Sequence, residues 1–347
     1  MNSQDRVLTA LRREQPDRVP VIEFVIDPKV ARAAVPDCTD VADCMDKLNM
    51  DSVSCGVEFA PVEHRQDGSW IDEWGVTYKP GPEVVSHPVA GPISSMSDLR
   101  SYNPPDPDAP GRLGCLPEMV KRYKGSRAII FHQRAAFMWS AYLNGIDNLL
   151  MNMMLEPAFV TALMDMVLEI NIGVARRAVS AGADVIVLGD DYAYNTGPMM
   201  SPELFEQMIQ PRLKRMVNVI HEEGSVVIKH TDGNLSPLLE SIVSCGIDGL
   251  NPIEPVAGMD LATVKELVGH RVALAGNVDC GHLLPHGTVE QVRQAVRQCI
   301  IDGGPGGGYL LCSSNSVHSS CNPENLKAMV QAGLEFGGYP LEVSGDD

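Results

Sequence analysis

Residues Ser225–Asn234 read SVVIKHTDGN. The β-branched run Val226-Val227-Ile228 leads straight into His230-Thr231-Asp232-Gly233-Asn234. The run predicts a buried parallel strand. Its polar tail puts an imidazole and a carboxylate at the C-terminal end, where α/β enzymes keep their chemistry. Strand alternation returns residues i and i+2 to one face, so His230 and Asp232 are expected side by side.

The same rhythm repeats outward from this stretch. Strands are predicted at VPVIEF (Val19–Phe24), MDSVSCGVEF (Met50–Phe59), RAIIFHQ (Arg127–Gln133), DVIVLGDD (Asp184–Asp191), GLNPIE (Gly249–Glu254), RVALAGNVD (Arg271–Asp279) and GYLLCSS (Gly308–Ser314). Helical or crossover sequence follows each. Ser3 is placed to cap a helix carrying Val7, Leu8 and Leu11, and Ser201-Pro202 opens another in cap-then-proline order, with Pro211 as a kink. Thr288 and Gln291 form a capping box, and Asn322-Pro323 starts the last helix. Eight β/α units in 347 residues favour an α/β fold of the closed TIM (β/α)8 type over an open doubly wound sheet. No GxGxxG follows the first strand, which argues against a dinucleotide fold. The run GGPGGG (Gly303–Gly308) precedes a strand instead of opening a helix, so it is expected to be a flexible loop at the non-catalytic end. The segment Gly68–Gly81 alternates like an inserted hairpin, and Pro82–Pro110 reads as a long loop after it. Residues 1–347 are therefore expected to form one barrel domain, with 60–125 inserted at its rim.

Composition narrows the function classes. The chain is 44% hydrophobic and 21% charged, enough for an ordinary core. A net charge of −18 without a Lys/Arg cluster disfavours nucleic acid and anionic lipid as partners. Nine cysteines without a CxxC pair fit a reducing cytosol, and a cytoplasmic protein is expected. The N-terminus has no apolar core of signal-peptide type, and no membrane span is predicted.

The predicted strand ends are polar throughout: Glu23, Glu58, His132-Gln133-Arg134, Asp190-Asp191-Tyr192, His230, Asp232, Asn251, Glu254, Asn277 and Asp279, followed by the loop from Cys312 through His318 to Cys321. Polar groups in a barrel mouth need hydrogen bonds or water, so this concentration favours an active site. Each residue also has a plainer reading. His132 could support the wall, Asp190 and Asp191 could cap a turn or pair with Arg134, Asn277 and Asp279 could close a turn, Cys312 could be core, and His318 could be solvated. A zinc site needs N, S or O ligands at close range and an open position. His230, Asp232, Glu254 and either Cys321 or His318 form the candidate set.

The sequence resembles the uroporphyrinogen decarboxylase superfamily over nearly the whole chain. The likeness rests on RVLTALRREQPDRVPV (Arg6–Val21), GDDYAYNTGPMMSPELFEQMIQPRLKRMVNVIHEEG (Gly189–Gly224), IKHTDGN (Ile228–Asn234), ALAGNVD (Ala273–Asp279) and SSNSVHSSCNPENL (Ser313–Leu326). The decarboxylases hold porphyrinogen carboxylates with arginines at the first strand end. Here that place reads VPVIEFVIDP, with Glu23 and no arginine. In the corrinoid-dependent methyltransferase branch, coenzyme M members carry His-x-Cys and a later Cys as zinc ligands. His230 matches the His, Asp232 stands at the first Cys, and Asn315 at the second, with Cys321 six residues on. A zinc set of His230, Glu254 and Cys321, with Asp232 as a further candidate, is harder and suits polarising an oxygen.

The resemblance thus implies transfer of a methyl group from a methoxylated, preferably aromatic, compound to the cobalt of a partner corrinoid protein. Asp191, Tyr192 or Asp232 would supply the proton to the leaving oxygen. His132, Asn251, Asn277 and His318 would contact the substrate. A homodimer is the expected assembly. Two competing readings stand beside this one: a metal-free lyase of decarboxylase type acting on a small acid or tetrapyrrole, and a non-catalytic tetrapyrrole-binding module.

Overall fold

The structure, a computed structural model, describes residues 1–81 and 87–341. Seven parallel strands form one curled sheet: β1 (Ser52–Gly56), β2 (Ala128–Gln133), β3 (Val185–Gly189), β4 (Val226–His230), β5 (Gly249–Asn251), β6 (Ala273–Val278) and β7 (Tyr309–Ser313). They neighbour one another in chain order. The eighth predicted strand, Val19–Phe24, is an irregular segment lying between the two edge strands. Ile22 N donates to Leu311 O at 2.9 Å, and Asp51 N donates to Val21 O at 2.7 Å. Only single bridges form there, Val21 with Leu311 and Ile26 with Val317. Pro20 has no N–H, and the N–H of Val21 goes to the Asp51 carboxylate, thirty residues on, at 2.8 Å. The result is a TIM-like barrel.

Strand alternation splits the apolar residues into two cores. Ile22, Ala128, Ile130, Val185, Val187, Ile228, Ala273, Ala275, Leu310 and Cys312 fill the lumen. Val7, Ala10 and Leu11 of α1 (Ser3–Leu11) join them and plug the N-terminal end. Gly249 makes room, since a Cβ there would lie 3.0 Å from Leu11 Cδ2. The larger core lies between the sheet and the surrounding helices.

Asn2, one residue before Ser3, caps α1. Ser201 caps Pro202–Met208, and the next helix, Gln210–Glu222, starts one residue later beside Pro211. Thr288 and Gln291 form the full capping box of Val289–Gly303, and Asn322 caps Pro323–Phe336. In the Gly303–Gly308 run, Gly307 has φ +80° and would place a Cβ 2.5 Å from Glu14 O, so it packs against the turn after α1. Among the described residues, the helix Pro157–Ser180 is long and apolar enough to cross a membrane, and 56% of its most apolar window is buried within the fold.

After β1, four short antiparallel strands (Pro61–His64, Trp70–Asp72, Thr77–Lys79 and His87–Ala90) form a separate sheet. The expected hairpin is its middle pair. The expected loop after it contains His87–Ala90 and the helix Met96–Ser101, while residues 82–86 of that loop lie outside the described residues. Arg112, 1% exposed, ties this region to the C-terminal end of β1. It donates to Glu58 O at 2.6 Å, pairs with Glu73 at 2.6 Å, and covers the Phe59 ring at 4.2 Å.

Candidate metal-binding active site

His230 ends β4 on the lumen face, in register with Gly189 on β3 and Asn251 on β5. Its Nδ1 lies 2.6 Å from Asn251 Oδ1. The Asn251 amide is oriented by its own bonds, Nδ2 donating to Ala275 O at 3.0 Å and to Cys312 Sγ at 3.4 Å. An amide oxygen only accepts, so Nδ1 carries a proton and Nε2 is the ring atom turned toward the carboxylates. Nε2 lies 3.5 Å from Asp232 Oδ1. Ligand atoms of Asp191, His230 and Asp232 all lie within 4.8 Å of one another.

The carboxylates are held as firmly. Asp191 Oδ1 accepts from Asp232 N at 3.2 Å, and Asp232 Oδ2 accepts from Asn315 Nδ2 at 2.7 Å. Asp232 Oδ1 is buried and has no hydrogen-bond partner among the described residues. Its 3.5 Å approach to His230 is an ion-pair distance without hydrogen-bond geometry. Burial raises the Asp232 carboxyl, the Asp191 charge adds to that, and His230 opposes it. Glu254 Oε2 accepts from Gly233 N at 2.7 Å, and burial raises its carboxyl as well. Gly233 has φ +88°, and a Cβ there would sit 2.6 Å from the Ala193 carbonyl. Only glycine lets the two loops approach this closely.

The expected residues thus separate. His230, Asp232 and Asp191 converge. Glu254 stands beside them but spends an oxygen on Gly233. Cys321, expected as a ligand, is 3% exposed, with its sulfur 3.9 Å from Cys280 O. His318 Nε2 lies 3.0 Å from that same carbonyl. The last loop reaches the trio through Asn315 instead. Tyr192, expected as a proton donor, is 1% exposed, packs its ring against Phe137 and Phe205, and lies beneath Lys229. Burial pushes its hydroxyl far above the usual range. Asn277 faces away, donating to Ile253 O at 3.0 Å with its Oδ1 3.3 Å from Cys299 Sγ on the helix Val289–Gly303. Asp190 does not pair with Arg134. Its carboxylate accepts from Ala135 N at 2.5 Å and Met138 N at 2.7 Å, capping the turn after β2.

His132 faces the lumen from β2, edge-on to Phe24 at 5.7 Å. Burial pushes its imidazole down to about 3, with a push from His230, so the ring is neutral. Its Nε2 is buried without a partner among the described residues. Two groups escaped the sequence reading. Lys229 lies in a strand that is otherwise apolar, and that alone could have flagged it. Asn315 was noted only as a missing cysteine.

A half-buried histidine and two carboxylates at the mouth of a TIM-like barrel form a group that could hold a metal ion. The family model for uroporphyrinogen decarboxylase (URO-D) matches residues 72–336, and the chain belongs to that family. The methylcobamide:CoM methyltransferase MtaA of Methanosarcina barkeri is 30% identical over 173 residues, covering 50% of this chain. That match spans about half of the relative's length (48%). The methylcobamide:CoM methyltransferase MtbA of Methanosarcina acetivorans is 26% identical over 348 residues, covering 96% of this chain and 98% of its own. A solved methyltransferase from Methanosarcina mazei superposes with a TM-score of 0.77 at 21% identity over 97% of this chain and 99% of its own, a likeness of fold.

Proposed function

We propose that this protein is a methyltransferase that moves a methyl group from a methoxylated, preferably aromatic, compound to the cobalt of a corrinoid protein. The observation that carries the reading is the trio itself. His230 meets two carboxylates, and the two positions where the coenzyme M pattern has cysteine, Asp232 and Asn315, are bonded to each other. Oxygen and nitrogen donors without thiolate favour polarising an oxygen over activating a thiol.

The donor set fits a divalent metal. Asp191, His230 and Asp232 would hold it, and Asp232 Oδ1, buried without a hydrogen bond among the described residues, is the atom best fitted to bind it. When bound, the metal would polarise the ether oxygen, and the partner's cobalt would supply the nucleophile. The methyl–oxygen bond breaks, a cobalt–carbon bond forms, and the oxygen leaves with a proton. Glu254, beside the trio, would give that proton. His132 Nε2 is placed to accept a hydrogen bond from the substrate, with the Phe24 edge against its ring. Asn251 acts through His230 as a positioning residue.

The acidic mouth weighs against a lyase for polycarboxylates. Arg134 is spent on Gly189 O, and Lys229 on main-chain carbonyls. The test offers cobalt(I) corrinoid protein with methoxylated aromatics, methanol and methylamines. Cobalt methylation from a methoxylated aromatic is expected, with His230→Ala lowering metal affinity by more than about 100-fold. No methylation from any donor by metal-loaded protein would defeat the proposal.

A further inference from the structure

Lys229 is 0% exposed and lies on the outer face of β4, behind His230. An ammonium has three N–H donors. Here each finds one carbonyl: Leu188 O at 3.0 Å, Asp190 O at 2.5 Å and His230 O at 2.5 Å. The Tyr192 ring closes the remaining side at 4.3 Å. With every donor used, Lys229 cannot reach a substrate. Its bonds fall at a particular place. The β3–β4 ladder ends at Gly189–His230, and beyond it no further ladder pairing holds the two strands together. Asp191 and Asp232 lie just past that end. The ammonium therefore bridges the residues on either side of the gap. Two further stitches continue the seam, Tyr192 N to Thr231 Oγ1 at 3.0 Å and Asp232 N to Asp191 Oδ1 at 3.2 Å.

We propose that Lys229 is a further positioning residue of the metal site. By tying the carbonyls of Leu188, Asp190 and His230, it sets the distance between Asp191 and His230. The inference rests on the reading that the trio takes a metal. Without the ammonium, three buried carbonyls lose their donor and the strand ends part, so the donor atoms no longer meet at one point. Groups that orient ligands from behind typically change metal affinity by about 10–100-fold.

The test uses the full chain and Co²⁺ as the probe. Affinity is read by competition with a chelator, and site geometry by the visible d–d spectrum. Lys229→Met keeps the chain length and removes all three donors. Lys229→Gln keeps an amide donor and carries the test if the Met variant does not fold. The expected result is a 10–100-fold weaker Co²⁺ complex with an altered d–d spectrum in folded Lys229→Met, and an intermediate loss in Lys229→Gln. A role in stability alone would lower the melting temperature and leave affinity per folded molecule and the spectrum unchanged, and that result would overturn the proposal. Failure of the unaltered protein to bind Co²⁺ would instead defeat the metal reading beneath it.

Discussion

Two buried carboxyl groups sit at opposite ends of the segment that closes the barrel, and their surroundings differ in kind. Asp51, 0% exposed, sits at the N-terminal end. It pairs with Arg6 and Arg18, both at 2.7 Å, and accepts from Val21 N. Arg6 also holds Asp17 at 2.6 Å and keeps that carboxyl well below the usual range. Glu23, 1% exposed, sits at the mouth end. It accepts from Phe24 N at 3.0 Å and Ser313 N at 3.1 Å, with no ion pair among the described residues. Burial raises it to about 7, against those backbone bonds. The plugged end neutralises its charges and serves stability. The mouth gathers carboxyls with no arginine ion pair among the described residues and only His230 at ion-pair distance, a setting that favours taking up a cation.

The largest expected effect breaks the plugged end. Asp51→Ala strands two arginines and a main-chain N–H, and should lower unfolding free energy by about 3–5 kcal/mol. Urea denaturation reads this, while Co²⁺ affinity of the folded fraction should hold. A parallel loss of metal affinity would show that the two ends are not independent.

Glu23 sharpens the contrast from the other side. Its folded pKa lies above the unfolded value of 4.5, so the protonated form favours the fold. Its contribution is complete below pH 4.5 and is lost as pH rises through about 7, a swing of roughly 3 kcal/mol. Glu23→Gln should remove that part of the pH dependence. Urea midpoints between pH 4.5 and 7.5 measure it, and an equal slope in both proteins would mean Glu23 is ionised throughout.

The smallest effect lies within the mouth. Asn251→Leu frees the His230 tautomer without removing a ligand. A loss of about 10–100-fold in Co²⁺ affinity is expected, with Tm little changed. Unaltered affinity would show that the trio needs no orientation from behind.

How far the sequence could be read follows the range of the forces. The apolar runs of β2, β3, β4 and β7 and the caps at Ser201, Thr288 and Asn322 depend on neighbours a few residues away, and they stand where the sequence puts them. The segment Val19–Phe24 departs because a distant carboxylate, Asp51, takes its N–H. Glu254 and Cys321 had suitable chemistry, but Glu254 spends an oxygen on Gly233 N beside the trio, and the Cys321 sulfur lies near the Cys280 carbonyl.

By itself, the sequence determined the alternating strands and the nearness of His230, the last residue of β4, to Asp232 just past it, because both depend on the local course of the backbone. Tertiary structure decided that Asp191 joins them, that Asn315 anchors Asp232, and that Lys229 grips the carbonyls behind. Those meetings depend on the register of β3 against β4 and on the path of the last loop. Both are set by the packing of the whole barrel rather than by any one stretch.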